Sequence, residues 1–389
     1  MVIDMSSRSK QRFALAFVLM SLVFTAPARA DVGKIVQNSV PEAREASTKD
    51  LAINTEVTDG PVRLQLFRSQ GEGVEYSHDG KWVVYDCKHQ DGYYNIHVCR
   101  PDGTQDRCLT TIDNGLPHRH AGSPTWSPSM KYIAFAAEKK VHEGGSIEAI
   151  PGFGGKSNLW VMLADGSKVW QLTDTPNFKW SRVIIPKFSP DGTKLIWAEE
   201  IRDHKNRFKF DGWAIRVADF VETPQGPQLR NIRSYEPGGP AFYETYGLSP
   251  DGKKIVFCSN CRTTGFFEQQ IFVCDIDGSN MHMLSNGKKY NEHASYTPDG
   301  RHIVWMTSEG NPKHGTDWWV MDPDGSNKRR LTHFNLSGFP ESCAKPVYAC
   351  LAGWAPNGTE FLGCVQYGLI KQEGRIMHVS LDKDLLSKP

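Results

Sequence analysis

One corner recurs six times along this chain, and the recurrence constrains the fold more than any other feature. Three copies are nearly identical: Phe188-Ser189-Pro190-Asp191-Gly192, Leu248-Ser249-Pro250-Asp251-Gly252 and Tyr296-Thr297-Pro298-Asp299-Gly300. Each leads into an apolar run: Leu195-Ile196-Trp197, Ile255-Val256-Phe257 or Ile303-Val304-Trp305. Looser copies stand at Ser77-His78-Asp79-Gly80, Ser127-Pro128-Ser129-Met130 and Ala355-Pro356-Asn357-Gly358. The corner positions 79, 129, 191, 251, 299 and 357 lie 48 to 62 residues apart (251 to 299, 129 to 191). A strand-rich repeat of this length is a propeller signature.

Each repeat supplies four strands. An aromatic ends the first, and Asp-Gly makes the tight turn because Gly accepts positive φ and Asp bonds its own backbone. The apolar run is the second strand. Asn158 to Met162, Gln270 to Cys274 and Asp317 to Met321 read as third strands. A further turn at Asp102-Gly103, Asp165-Gly166, Asp277-Gly278 or Asp324-Gly325 leads to a fourth. Repeat three lacks this second Asp-Gly, and an insert is expected around Pro224 to Pro240. Repeat six lacks its own fourth strand. Val62 to Phe67, after Asp59-Gly60, reads as that missing strand. The expectation is an all-β, six-bladed β-propeller over 59–380, with an N-terminal strand closing the last blade, an arm at 31–58 and a mobile tail at 381–389.

The first 30 residues read as a secretory signal. Arg8, Lys10 and Arg12 precede the apolar run from Phe13 to Phe24, and Ala28-Arg29-Ala30 follows as a small-x-small cleavage site. Cleavage would leave 389 − 30 = 359 residues. A periplasmic or secreted protein is expected, monomeric, with no transmembrane segment after cleavage. Lys+Arg is 45 against Asp+Glu 44, a balance that argues against a nucleic-acid partner. Nine cysteines in an exported chain suggest disulfides. Cys99 and Cys108 flank the Asp102-Gly103 turn and are the expected pair. Cys258-Ser259-Asn260-Cys261 follows a strand rather than opening a helix, and reads as structural rather than redox-active. Asp275-Ile276-Asp277-Gly278 and Asp322-Pro323-Asp324-Gly325 resemble calcium-loop starts, but lack the Glu required at the twelfth position.

The Ser-Pro-Asp-Gly corner, the aromatic-Val-Met/Cys strand and Arg330-Leu331-Thr332 together resemble the WD-like repeat of TolB-type β-propellers. That family includes the periplasmic TolB proteins, the propellers of prolyl-oligopeptidase-like enzymes, and oligogalacturonate lyases. The resemblance spans about residues 59–380 and implies the fold. The α/β domain that precedes the TolB propeller is not expected, because only 58 − 30 = 28 residues separate the signal from the first strand. Peptidase activity is not expected either, because no G-x-S-x-G nucleophile elbow occurs.

Loops joining fourth to first strands, and second to third strands, should emerge together on the face opposite the Asp-Gly corners. His120, Trp180, Arg182, Glu244, His293 and His314 are the binding-face candidates. Acidic residues recur just past the second strands at Asp86, Glu138, Glu199, Glu200 and Glu309. The expected function is a non-catalytic module that binds a protein or a cell-envelope glycan through this face, without a cofactor. The alternative is a metal-dependent polysaccharide lyase acting on oligouronides and resembling oligogalacturonate lyases. In that reading His120, His293, His314 and nearby carboxylates hold a divalent metal at the ring mouth, which neutralises a uronate carboxylate while a base takes the adjacent proton.

Overall fold

The repeated corner folds as its chemistry requires. In the computed structural model, Asp79 Oδ1 accepts from Ser77 Oγ (2.7 Å) and from the Lys81 amide (3.1 Å). Asp191 repeats this with Ser189 and Thr193, and Asp299 with Thr297 and Arg301. The following glycine takes positive φ, +69° at Gly80 and +71° at Gly300, a region that costs side chains energy. The corner also joins blades. A Cβ on Gly300 would meet Pro250 Cδ at 3.3 Å, and one on Gly80 would meet Pro356 Cδ at 3.3 Å. Gly192, Gly252 and Gly358 face Pro128, Pro190 and Pro298 in the same way. Each corner thus packs its glycine against the proline of the preceding blade. The one interval without this pair has His78 in the proline position and Met130, φ +58°, in the glycine position.

The structure describes residues 56–57, 59–110, 114–140, 147–177, 181–202, 211–263, 266–312, 315–367 and 374–387. The expected signal peptide (1–30) and most of the arm lie outside them. Six antiparallel sheets follow one another. Blade one comprises Val74–Tyr76, Val83–Lys88, Tyr94–Cys99 and Arg107–Cys108. The inner strands of blades two to six are Ala121–Trp126, Val183–Phe188, Tyr243–Leu248, Asn291–Tyr296 and Val347–Trp354. Each inner strand touches the next, and the sixth touches the first, so the ring is closed.

Closure comes from the N-terminal strand, as the sequence implies. Val62–Arg68 pairs antiparallel with Gly374–Leu381, with Leu64 opposite Val379. Arg63 Nη1 reaches Asp382 Oδ1 at 2.6 Å, and the Gly71 amide bonds Gly374 O at 3.0 Å. Two boundary expectations are corrected. The end of the expected arm is a strand, Glu56–Val57, added outside Val62–Arg68. The expected mobile tail includes a short helix, Lys383–Ser387, whose Leu385 and Leu386 pack on the core. The insert expected in blade three is instead an extended hairpin, Trp213–Thr223 with Gly226–Tyr235.

The core lies between blades, where aromatic residues from second and third strands interleave. Trp318 is fully buried against Phe361 (5.2 Å between centroids) and donates its Nε1 hydrogen to Cys350 O (2.8 Å), linking blades five and six. Gly363 makes room for it, since a Cβ there would fall 2.3 Å from Trp318 Cζ2. Trp197 and Trp305 are buried in the same manner. Among the described residues, no helix is long and apolar enough to cross a membrane.

The closure yields a truncation test. A chain starting at Glu56 retains the closing strand and should unfold cooperatively in urea, with a midpoint near that of the longer protein. A chain starting at Ser69 leaves Gly374–Leu381 an open edge in a sheet that has lost its outer strands. It should lose cooperative unfolding. Equal midpoints for the two chains would refute closure by this strand.

Candidate functional site: the loop face and central channel

The inner strands do not run straight. Each of the inner strands of blades two to six has a register break: between Gly122 and Thr125, Ile184 and Lys187, Thr245 and Gly247, Glu292 and Ser295, and Ala349 and Ala352. Ser123, Ile185 and His293 sit in these breaks with φ of +53°, +48° and +51°. A β-branched residue at positive φ is a genuine outlier, and bulges of this kind re-aim side chains. Here they turn residues into the axis of the ring. The channel, about 390 Å³ with its mouths, is lined from all six blades, including Gly73, Ser123, Ile185, Tyr246, His293 and Ala352. Lys187 pairs with Glu75, which also accepts from the Trp126 amide (3.0 Å), so the inner strands of blades one, two and three are tied together.

At the loop end of the channel the carboxylates are turned inward. Asp86 is fully buried and accepts from the Ser123 amide (2.7 Å) and the Gly73 amide (3.1 Å). Burial, partly offset by these bonds, raises its pKa to about 7. Glu72 accepts from Tyr94 Oη (2.8 Å), and burial together with the nearby Asp86 raises it to about 8. Between blades four and five, Glu244 accepts from Tyr246 Oη at 3.1 Å and Glu292 from Tyr290 Oη. Burial pushes both carboxyls upward, and the nearby Glu292 adds to the rise at Glu244. Their oxygens and the Cys258 thiol converge within 4.8 Å. Glu199 accepts from Trp197 Nε1 (2.8 Å) and Arg216 Nε (3.2 Å).

The sequence candidates separate. His120 is 6 % exposed in blade two, its Nδ1 accepts from the Tyr94 amide (3.2 Å), and burial lowers its pKa to about 4. His293 belongs to blade five, packs edge-on to Tyr246 (5.4 Å), and is lowered to about 3 by burial. Its Nδ1 is buried with no hydrogen-bond partner among the described residues. Tyr246 thus joins Glu244 and His293, while His120 stands apart from them. Arg182 lies 3.6 Å from Glu200 in blade three. Trp180 and His314 lie outside the described residues. Tyr246, Glu292, Glu72 and Cys258 were missed. Position past an apolar second strand marks Asp86 and Glu199 in the sequence, but nothing there marks partners that assemble across blades.

The expected Cys99–Cys108 disulfide is corrected. Residues 100–106 form a longer connection than a two-residue turn, with Gln105 at φ +53°. The register therefore sets Cys108 opposite His97, not Cys99. Cys99 is a diagonal neighbour, about 7–8 Å away by ordinary strand geometry and too far for an S–S bond, and no disulfide joins the two.

Comparison with known proteins supports the fold. No family model matches the chain. Dipeptidyl-peptidase 5 of Porphyromonas gingivalis is 24% identical over 340 residues, covering 77% of this chain and 46% of that protein. The chain thus spans less than half the length of that relative. An uncharacterised protein of Agrobacterium fabrum, Atu1656, is 24% identical over 260 residues, covering 61% of this chain and 82% of its own. Among solved structures, TolB from Acinetobacter baumannii matches with a TM-score of 0.50 and 16% identity, over 79% of this chain and 65% of that one. The chain is a six-bladed β-propeller with TolB proteins among its structural neighbours.

The buried acids give a pH signature. A carboxyl whose folded pKa is raised holds its proton more tightly in the folded state. Its contribution to stability is complete below the unfolded value and is lost as pH rises through the folded one. For Glu292 that window opens near the ordinary Glu value of 4.5 and extends upward. Glu292→Gln, which cannot ionise, should gain on the native protein as pH rises from 5 to about 7, by at most about 1.4 kcal/mol per pH unit, and level off above that. Urea unfolding across this range measures it. Parallel stability curves for the two proteins would show that Glu292 is not held protonated.

Proposed function

We propose that this protein is an exported, non-catalytic TolB-like propeller that recognises a protein or a cell-envelope glycan through its loop face, in the periplasm or outside the cell. The observation that carries the reading is the division of that face into a committed interior and an available rim. Asp86, Glu72 and His120, groups suited to acid–base chemistry, are buried and bonded to their own chain. The rim, by contrast, exposes Ile147 (48 %) and Phe339 (42 %), the latter stacked on His333 at 3.8 Å. Exposed apolar and aromatic groups at a polar rim suit recognition. Exposed Lys88, Lys140, Arg262, Lys288 and Lys345 lie on loops of the same face. The exposed acids of the same rim are fewer among the described residues, and two of them are engaged: Asp91 with His118 (3.3 Å) and Glu309 with Lys289 (3.7 Å). The rim therefore favours a ligand that carries negative charge.

The lyase reading draws no support from this arrangement, because His120 and His293 lie in blades two and five. A photo-crosslinking residue at Phe339 or Ile147 should capture a discrete partner in the cell envelope. Lys88→Glu with Lys288→Glu should reduce that capture at least tenfold, and raised salt should reduce it further. Release of an unsaturated sugar from oligouronides with Mn²⁺, abolished in His293→Ala, would overturn the proposal in favour of the lyase.

A further inference from the structure

A second cluster lies away from the channel, on the outer half of blade one. Alternation along the second strand puts Tyr85 and Cys87 on one face of the sheet, and His89 follows two residues later. In the third strand His97 pairs with Tyr85, and in the fourth Cys108 pairs with His97. Two strands and a hairpin therefore deliver one thiol and two imidazoles to one place, with Cys108 beside His97 on the fourth strand. The ligand atoms of Cys87, His89 and His97 all lie within 4.8 Å of one another. His97 is within hydrogen-bonding reach of both Cys87 and Cys108. All four residues are partly buried.

The nitrogens are oriented for coordination. His97 Nδ1 is 3.1 Å from Asp106 Oδ1, so it donates to the carboxylate and leaves the lone pair on Nε2. That Nε2 lies 2.7 Å from His89 Nε2. A carboxylate behind an imidazole fixes its tautomer and strengthens it as a ligand. Asp106 is held in turn, accepting from Tyr85 Oη at 2.7 Å, while Tyr85 accepts from Arg68 Nε of the closing strand at 3.3 Å. Cys108 lies two strands across and two residues along from Cys87, about 11–12 Å by ordinary strand geometry, too far for a disulfide or for one ion to take both thiols.

We propose that Cys87, His89 and His97 form a three-ligand binding site for a thiophilic transition-metal ion, Zn²⁺ or Cu⁺, with Asp106 as the positioning residue for His97. One sulfur and two nitrogens disfavour hard cations such as Ca²⁺ and Mg²⁺, which take oxygen ligands. Tetrahedral Zn–N bonds of about 2.0–2.1 Å require the two Nε2 atoms to stand about 3.3 Å apart. They must therefore part by about 0.6 Å, a shift open to His89, which lies in the hairpin after the strand rather than within it. The site is independent of the loop-face proposal and shares no residue with the buried Glu244–Cys258–Glu292 group.

The test uses the reduced full chain. Zn²⁺ titration against a chromophoric chelator should show one tight equivalent, and Cu⁺ titration against a cuprous chelator shows which ion is held more tightly. Co²⁺ should give the intense absorption of tetrahedral thiolate coordination, which reads the ligand set without any substitution. Cys87→Ser should weaken binding at least 100-fold and abolish the thiolate band, whereas Cys108→Ser should retain the band. Asp106→Asn should weaken binding 10- to 100-fold with the band retained. Cys258→Ser should leave both unchanged. A Co²⁺ spectrum without thiolate character, or a Zn²⁺ affinity unmoved in the Cys87→Ser protein, would overturn the proposal.

Discussion

The structure depends on one edge-to-edge pairing. Five blades are built from consecutive strands, but the sixth is completed only when Val62–Arg68 docks on Gly374–Leu381. Without that docking, the backbone groups of Gly374–Leu381 face water, and the junction of blades six and one is left to side-chain packing such as that of Val74 and Tyr76 with Leu362 and Ile376. With it, the ring closes and the channel acquires six walls. The Pro–Gly contacts between successive corners do related work on the opposite face. They fix the spacing of neighbouring blades through van der Waals contact at a position where only a residue tolerant of positive φ fits.

Closure also explains why the polar groups of the loop face are committed inward. The inner-strand bulges turn backbone amides such as that of Ser123 toward a neighbouring blade, where Asp86 receives them. A carboxylate used this way satisfies backbone donors that no ladder can reach. The cost is desolvation, seen in the upward shift of Asp86 and Glu72. The rim is left to side chains that make few internal bonds, and these are the ones suited to a partner.

Most of the architecture is legible in the sequence because a corner motif states its own geometry. Ser-Pro-Asp-Gly specifies a turn, its capping carboxylate and its contact with the next blade within four residues. The missing fourth strand and its replacement near residue 62 are legible for the same reason. The site is less legible. His120 and His293 stand in loop-like sequence, yet a bulge turns the partly buried His293 against Tyr246, and the Tyr94 amide holds His120. Their burial depends on strands distant in the chain. The Cys99–Cys108 expectation fails through register. A turn longer than its Asp-Gly suggests shifts the fourth strand, and a shift changes every cross-strand neighbour. That same register brings Cys108 to His97, a pairing that no local pattern announces.

Amide hydrogen exchange resolved to individual residues tests the central claim most directly. The ring account predicts that the Arg63 and Gln65 amides, which bond the closing strand to Gly374–Leu381, are protected to the same degree as those of Phe361 and Gly363 in the second strand of blade six, because one cooperative unit contains both. Exchange of the closing-strand amides at the rate of an exposed loop, with blade six still protected, would show that the ring stands without its N-terminal strand and would contradict the account.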